Sequence, residues 1–418
     1  MKKGRMILHS DLNSFYASVE IMQQPQLKGQ AVAVCGSADD RHGIVLAKSE
    51  KAKKAGIKTG MANWQAKRLC PELIMVAPRF HEYVKYSRAV REIYSRFSKK
   101  IEPYGMDECW IDISPICSNF HQGEEIANQI RELTKNELGL SVSIGVSFNK
   151  VFAKLGSDLK KPDAVTVITE DNFRKKIWPL PASELLFVGR STTQKLQAVN
   201  VHTIGQLANT DPGQLRKLLG INGVQLWTFA NGKDTGEVME LDFKSQIKSV
   251  GHGITCRGDL ESSREVWRVM LQLSQDIGEK LRSQGLMATG VQITVRDNEL
   301  NVKQYQTGLG FPSQSAMEIA YLAKKLFESN YDWHLPIRSV TVRAINLFPA
   351  ESPLQLDLLD DFQKRQRQHT LETTIDTLRG RFGDRSITFA SLMGDLKMPL
   401  HSSSIILMPG MQDEIPLF

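Results

Sequence analysis

Two adjacent acidic residues, Asp107 and Glu108, lie between apolar runs in the segment IEPYGMDECWIDIS, residues 101–114. No other feature restricts the chain as much. The flanking runs read as the strands of a β-hairpin, with the acidic pair at or near its turn. Two like charges beside a core are costly unless a cation or an arginine compensates them. A third carboxylate, Asp11, ends the strand-like run RMILHSDL, residues 5–12. Taken alone, an aspartate at a strand end is most often a turn former. If the two strands are neighbours, the three carboxylates converge. Hard oxygen ligands at such a point suit Mg²⁺.

The rest of the chain falls into segments of different character. Ala31–Val34 and Gly43–Ala47 read as strands, and Lys51–Ala55 and Asn63–Leu69 as short helices. Residues 82–99 carry an amphipathic helix, with Tyr83, Tyr86, Val90, Ile93, Tyr94 and Phe97 on one face. A helix over 123–138 and a strictly alternating strand over Ser141–Val146 complete an α/β core ending near residue 170. After Pro179 and Pro181 the pattern becomes short helices separated by glycine, over 183–232. A linker follows, GKDTGEVMELDFKSQ. Residues 247–347 alternate again: a strand, a helix over 262–284, strands over 290–296 and 301–307, a helix over 315–328, and a strand over 337–346. A charged helix is expected over 360–382. The last 35 or so residues show little pattern and are expected to be loose.

Composition excludes several classes. Hydrophobic residues make up 41% of the 418, which is too many for a disordered chain. No apolar stretch approaches the roughly 18 residues of a membrane span, and the basic start lacks the apolar core of a signal peptide. The five cysteines include no C-x-x-C pair, so neither a disulfide framework nor a zinc site is expected, and a reducing cytoplasm fits. Net charge is +7, and the tail from residue 351 is net negative, so the excess lies entirely in the first 350 residues. That distribution suits a polyanion lying across several domains.

Three strings carry the chemistry: DLNSFYASVE (Asp11–Glu20), YGMDECWIDI (Tyr104–Ile113) and GVSFNKVFAKLGSDLKKPD (Gly145–Asp163). In order and spacing the chain resembles the Y-family, the translesion DNA polymerases, over about 350 residues or more. The resemblance implies a multidomain α/β and α+β right hand of palm, fingers and thumb plus a little finger. The expected boundaries are 1–25 and 75–170 for the palm, 26–74 for the fingers and 171–235 for the thumb. A linker over 236–246, a little finger over 247–350 and a C-terminal extension over 351–418 complete them. It implies that Asp11, Asp107 and Glu108, with the carbonyl of Leu12, hold two Mg²⁺ ions, Mn²⁺ being an alternative. Ser14 and Phe15 would offer backbone N–H groups to a triphosphate. Tyr16 falls at the steric gate, where an aromatic ring leaves no room for a ribose 2′-hydroxyl. Lys161, or its neighbour Lys160, would meet the triphosphate. In the fingers, Glu50 stands where many members carry a tyrosine, and Lys53 where they carry an arginine. On that departure the chain is expected to lie closer to the branch of the DNA polymerase V catalytic subunit than to that of DNA polymerase IV.

FVGRS (Phe187–Ser191) and GINGV (Gly220–Val224) look like helix-hairpin-helix turns, with Gly189, Arg190, Gly220 and Gly223 meeting DNA phosphates. Lys248, Lys303, Arg257, Arg338 and Arg343 lie on or near little-finger strands and are expected to contact DNA as a group. The terminal QDEIPLF resembles a sliding-clamp-binding peptide, through Gln412, Ile415, Leu417 and Phe418. These features together predict an error-prone, template-directed DNA polymerase acting on primed template and dNTP. Possible accessory damage-response subunits, a monomeric catalytic chain and no membrane partner complete that expectation. Two other readings stand beside it: a non-catalytic or accessory-dependent DNA- and clamp-binding repair factor on the same fold, and a palm-type cyclase.

Overall fold

The computed structural model describes residues 4–36, 43–243, 245–353, 362–383 and 386–399. These form two compact units that divide between Ser245 and Gln246. In the first unit the described strands are β1 (Ile7–Leu12), β2 (Val32–Cys35), β3 (Val45–Lys48), β4 (Ile74–Val76), β5 (Ile101–Pro103), β6 (Glu108–Asp112), β7 (Val142–Ser147) and β8 (Val165–Ile168). One sheet runs in the order β5-β6-β1-β7-β8, and a smaller one in the order β3-β2-β4. β1 lies antiparallel to both of its neighbours, β6 and β7.

Alternation along β1 divides its side chains between two faces. Leu8 and Leu12 join the main core with Val90, Tyr94, Ile126 and Ile130, from the helices Phe80–Ser95 and Phe120–Leu138. Ile7 packs on the opposite face with Trp110 and Ala153, the latter from the helix Lys150–Leu159. His9 and Asp11 share that second face. The helix there sits very close to the sheet, and Gly145 on β7 allows it: a Cβ at Gly145 would lie 1.9 Å from the Ala153 carbonyl oxygen.

The amphipathic helix runs Phe80–Ser95 and ends before Phe97, and the next one starts at Phe120, three residues earlier than its apolar pattern suggested. The Asn119 side chain caps it by accepting from Gln122 N–H at 3.0 Å. β7 departs from the expected half-exposed strand. All six of its residues are buried. Its small residues Ser143, Gly145 and Ser147 make room for the covering helix, and Ser143 and Ser147 are hydrogen-bonded.

The smaller sheet packs Ala33, Cys35 and Val45 against Ala52, Ile57 and Ala66. After β8 the chain is helical, with Arg190–Gln197, Ile204–Asn209, Pro212–Leu219 and Ile221–Ala230 around Leu196, Leu207, Leu215 and Leu226. The five cysteines are buried, and none is joined in a disulfide. No described helix is long and apolar enough to cross a membrane.

The second unit is a four-stranded antiparallel sheet of β9 (Ser249–Leu260), β10 (Leu286–Asp297), β11 (Val302–Ser313) and β12 (Ile337–Pro349), in the order β11-β10-β12-β9. Helices Ser263–Ser283 and Ala316–Glu328 cover one face, burying Val266, Leu273, Ile277 and Ile319 on Val291, Ile293, Val340 and Val342. The helix Phe362–Phe382 is tied to them through Arg282, which pairs with Glu372 and Asp376 at 2.6 Å each. Residues 386–399 are not loose as expected. Leu392 and Met398 are buried there, and Arg268 donates to the carbonyls of Ser391 and Met393 at 2.7 and 2.8 Å.

Candidate active site

Strand pairing gathers the carboxylates. The β1–β6 register sets Asp11 directly opposite Glu108 and His9 opposite Trp110. Residues opposite each other in an antiparallel pair project to the same face. Asp107 ends the turn between β5 and β6, and its carbonyl accepts the Leu12 N–H at 3.0 Å. Asp11 is buried, while Asp107 and Glu108 are half-buried.

Two lysines compensate this charge, both presented by the Lys150–Leu159 helix or the turn after it. Lys161 Nζ lies 2.7 Å from Asp11 Oδ2 and 2.8 Å from Asp158 Oδ1. Lys154 pairs with Glu108, and its ammonium lies 5.2 Å from the Tyr104 ring centroid. Of the two neighbouring lysines, Lys161 is the one that reaches Asp11. Asn13 anchors the turn by accepting the Asp163 N–H at 2.8 Å and donating to Ser143 Oγ at 2.9 Å. Among the described residues no cation pairs with Asp107.

Burial pushes Asp11 up to about 6, against the pull of Lys161. Burial and the neighbouring Glu108 raise Asp107. Burial also pushes Glu108 up, but His9 and Lys154 outweigh it and hold the carboxyl near 2. Burial lowers Lys161, yet Asp11 and Asp158 more than offset this and keep it above its ordinary value. His9 is wholly buried, with Nδ1 2.8 Å from Ser157 Oγ and Nε2 3.3 Å from Glu108 Oε2, the latter outside hydrogen-bond alignment.

Ser14 begins the helix Phe15–Gln23 in a left-handed conformation (φ 48°), with no side chain capping the first turn. Its hydroxyl donates to Glu50 Oε1 at 3.0 Å. Lys53 is exposed on the short helix Glu50–Lys54, close enough to help depress the half-buried Lys48, whose main perturbation is burial. Tyr16 is half-buried, stacks on Tyr83, and points its hydroxyl at Met106 Sδ, 3.2 Å away. Burial and then Asp107 raise its phenol.

The expected DNA contacts divide. Gly189, Arg190 and Gly220 are exposed. Gly223 is a packing glycine instead: it is buried, its N–H donates to the Gly220 carbonyl at 3.1 Å, and a Cβ there would meet the Leu215 carbonyl oxygen at 2.2 Å. The first hairpin turn is preceded by a single 3-10 turn, Ala182–Glu184, where a full helix was expected. In the second unit Arg343 is exposed on the sheet face carrying Gln292 and Gln306, while Lys303 lies on the other face, 5.5 Å from the Tyr331 ring. Lys248 is exposed and Arg338 half-buried. Arg257 is not open, since it pairs with Asp395 at 3.1 Å. Gln412, Ile415, Leu417 and Phe418 lie outside the described residues.

The donors are hard oxygens and suit a divalent ion of the Mg²⁺ kind. Among the described residues no three histidine, cysteine or acidic side chains are gathered round one point as they stand. Lys161 and Lys154 supply the positive charge at Asp11 and Glu108 instead. Three further residues take part in the site: Lys154, His9 and Asn13. Lys154 was visible in the third string, one helical turn after Lys150, but nothing local told which carboxylate it meets.

The impB/mucB/samB family model matches residues 10–158, and the C-terminal domain model of the same family matches 247–358. A model described as the DNA polymerase-iota thumb domain matches 184–234. The chain is 46% identical to DNA polymerase IV of Acetivibrio thermocellus, over 94% of this chain and 98% of that one. It is 35% identical to DNA polymerase IV 1 of Bacillus subtilis, over 92% of each. A solved Y-family DNA polymerase chimera superposes with a TM-score of 0.73 at 21% identity, covering 82% of this chain and 99% of that one. The fold is therefore the palm, fingers, thumb and little finger of that family. The expected kinship with the polymerase V branch is overturned by these relatives, which are polymerase IV chains. That expectation rested on Glu50 and Lys53, two positions of one short helix, and the setting of Glu50 is local. Glu50 opens a helix capped by Ser49, where a carboxylate is favoured by the helix dipole, and it accepts from Ser14. Two such positions are outweighed by likeness along nearly the whole length, and the chain belongs to the impB/mucB/samB family, the Y-family of DNA polymerases, on its polymerase IV side.

Proposed function

We propose that this protein is a template-directed, error-prone DNA polymerase that carries synthesis past damaged bases, joining a dNTP to a primer 3′-hydroxyl. The carrying observation is the β1–β6 register, which sets Asp11 opposite Glu108 with Asp107 in the adjoining turn. Asp11, Asp107, Glu108 and the Leu12 carbonyl would hold two Mg²⁺ ions, with Mn²⁺ as a substitute. When bound, these ions supply the charge that activates the primer hydroxyl and steadies the leaving pyrophosphate. Lys161 would turn from Asp11 to the triphosphate. The uncapped first turn at Ser14 and Phe15 would meet its oxygens, with Lys53 as a point charge beside them. Tyr16 would exclude the 2′-hydroxyl. Catalysis is then mostly positioning and charge neutralisation.

The palm spans 1–25 and 75–170, the fingers 26–74, the thumb 171–235, the linker 236–246 and the little finger 247–350, with 351–418 as an extension. Gly189, Arg190 and Gly220 in the thumb and Arg338 and Arg343 in the little finger would hold the duplex by its phosphates. The Gln412–Phe418 tail would engage a sliding clamp in the bacterial cytosol. Primer extension with Mg²⁺ tests the reading: the wild type extends with dNTPs and Asp107→Ala does not. A wild type that binds primed DNA yet never extends it refutes the reading.

A further inference from the structure

Tyr16 does not stand alone behind the sugar site. Its ring lies on that of Tyr83 with centroids 4.1 Å apart and planes 8° from parallel. Tyr83 is fully buried, and its hydroxyl donates to Glu20 Oε1 at 2.7 Å. Glu20 is itself 1% exposed and lies four residues after Tyr16, one turn along the same helix. Arg79 closes the ring. Its Nε and Nη2 reach Glu20 Oε2 at 3.0 and 2.5 Å, and its backbone N–H donates to the Tyr83 hydroxyl at 3.1 Å. Gln24 Nε2 adds a bond to Glu20 Oε2 at 3.1 Å.

Two pairs spaced four apart thus interlock: Tyr16 and Glu20 on one helix, and Arg79 and Tyr83 at the start of another. Phe80 sets its ring edge-on to both tyrosines, at 87° and 81°. An ion pair with a buried carboxylate is weak evidence for stability, because desolvation offsets much of the attraction. Its geometric effect is plain, however. Every acceptor of Glu20 is used, so the carboxylate fixes the Tyr83 phenol, and the Tyr83 ring fixes the plane of Tyr16. A wall that excludes one hydroxyl works only while it cannot yield, and supporting residues set that stiffness.

We infer that Glu20, acting through Tyr83 and locked by Arg79, is a positioning residue for sugar discrimination. It touches no substrate, and it determines how firmly Tyr16 rejects a ribonucleotide. The inference rests on the steric-gate reading of Tyr16.

The test measures kcat/KM for one dNTP and its matching rNTP in wild type, Tyr16→Ala, Glu20→Gln and Tyr83→Phe. Tyr83→Phe keeps the stack and removes only the hydroxyl, so it is the mild variant should Glu20→Gln fail to fold. Removing the gate itself is expected to lower the dNTP-to-rNTP ratio about a hundredfold or more, and releasing its support about tenfold, through faster rNTP use with dNTP use within about twofold. Loss of fold would depress both nucleotides alike and leave the ratio unmoved. A collapsed ratio in Tyr16→Ala with wild-type ratios in Glu20→Gln and Tyr83→Phe overturns the inference and leaves the gate standing. An unchanged ratio in Tyr16→Ala overturns the gate, and the inference with it.

Discussion

Gly145→Ala tests the placement of the whole site through one methyl group. The added Cβ would stand 1.9 Å from the Ala153 oxygen, 2.6 Å from the Ser157 nitrogen and 2.9 Å from the Ala153 carbonyl carbon. All three are backbone atoms, so no rotamer change relieves the clash. Restoring ordinary contact needs the helix to back away by about 1.5 Å, since non-bonded heavy atoms rest about 3.5 Å apart. Overpacking a core costs about 1–3 kcal/mol, and a backbone obstacle belongs at the upper end. The same helix presents Lys154 to Glu108, leads into Lys161, and holds Ser157 against His9. A misplacement of about 1 Å costs on the order of a hundredfold in rate. Urea unfolding by circular dichroism should show a midpoint lower by up to about 1 M, and single-turnover primer extension a rate about a hundredfold lower. A variant with the wild-type midpoint and rate would refute the argument, because the helix would then have room the geometry denies it.

Other predictions follow from the charges and ties. In EDTA, Asp11 titrates near 6 in the folded chain against 3.8 in a free carboxyl. A raised acid favours the folded state only while protonated, so this contribution is lost as pH rises from about 4 to 6. Asp11→Asn should therefore raise metal-free stability at pH 8 by up to about 3 kcal/mol while abolishing extension; equal stability of variant and wild type contradicts this. Glu108 carries the opposite sign, being held near 2. Lys154→Met should let it rise, moving the Glu108 carboxyl titration followed by NMR in EDTA upward by about one pH unit, and an unmoved titration would dismiss the pairing. Arg268→Ala should make residues 386–399 about tenfold more sensitive to protease, since hydrogen bonds from a charged donor to their carbonyls are lost, whereas unchanged cleavage means the segment is held by its other ties, the Arg257–Asp395 pair and the buried Leu392 and Met398 among them. Deleting residues 412–418 should leave basal extension intact and abolish its stimulation by a sliding clamp; stimulation that survives the deletion removes the tail from the clamp-binding role.

The elements were legible wherever the signal is local. The hairpin around Asp107 and Glu108, the Tyr83–Tyr94 face of its helix and the glycine-punctuated thumb follow from spacings of two and of three to four residues, which the chain carries in plain order. The misreadings have separate causes. Gly223 looked like a phosphate contact because a small residue at a close approach and a small residue at a surface spell alike. Residues 386–399 looked loose because their partners, Arg268 and Arg257, lie more than a hundred positions earlier. Glu50 and Lys53 misled because two positions were weighed as if they spoke for the whole. What the amino-acid order determines by itself is therefore the strands, the helices and the supply of carboxylates and lysines. Which carboxylate faces which, that Lys161 rather than Lys160 reaches Asp11, and that Glu20 stands behind Tyr16 were decided by strand register and helix packing. Those pairings join residues from about 60 to 150 positions apart, and only a closed chain brings such groups within the few ångströms over which hydrogen bonds and ion pairs act.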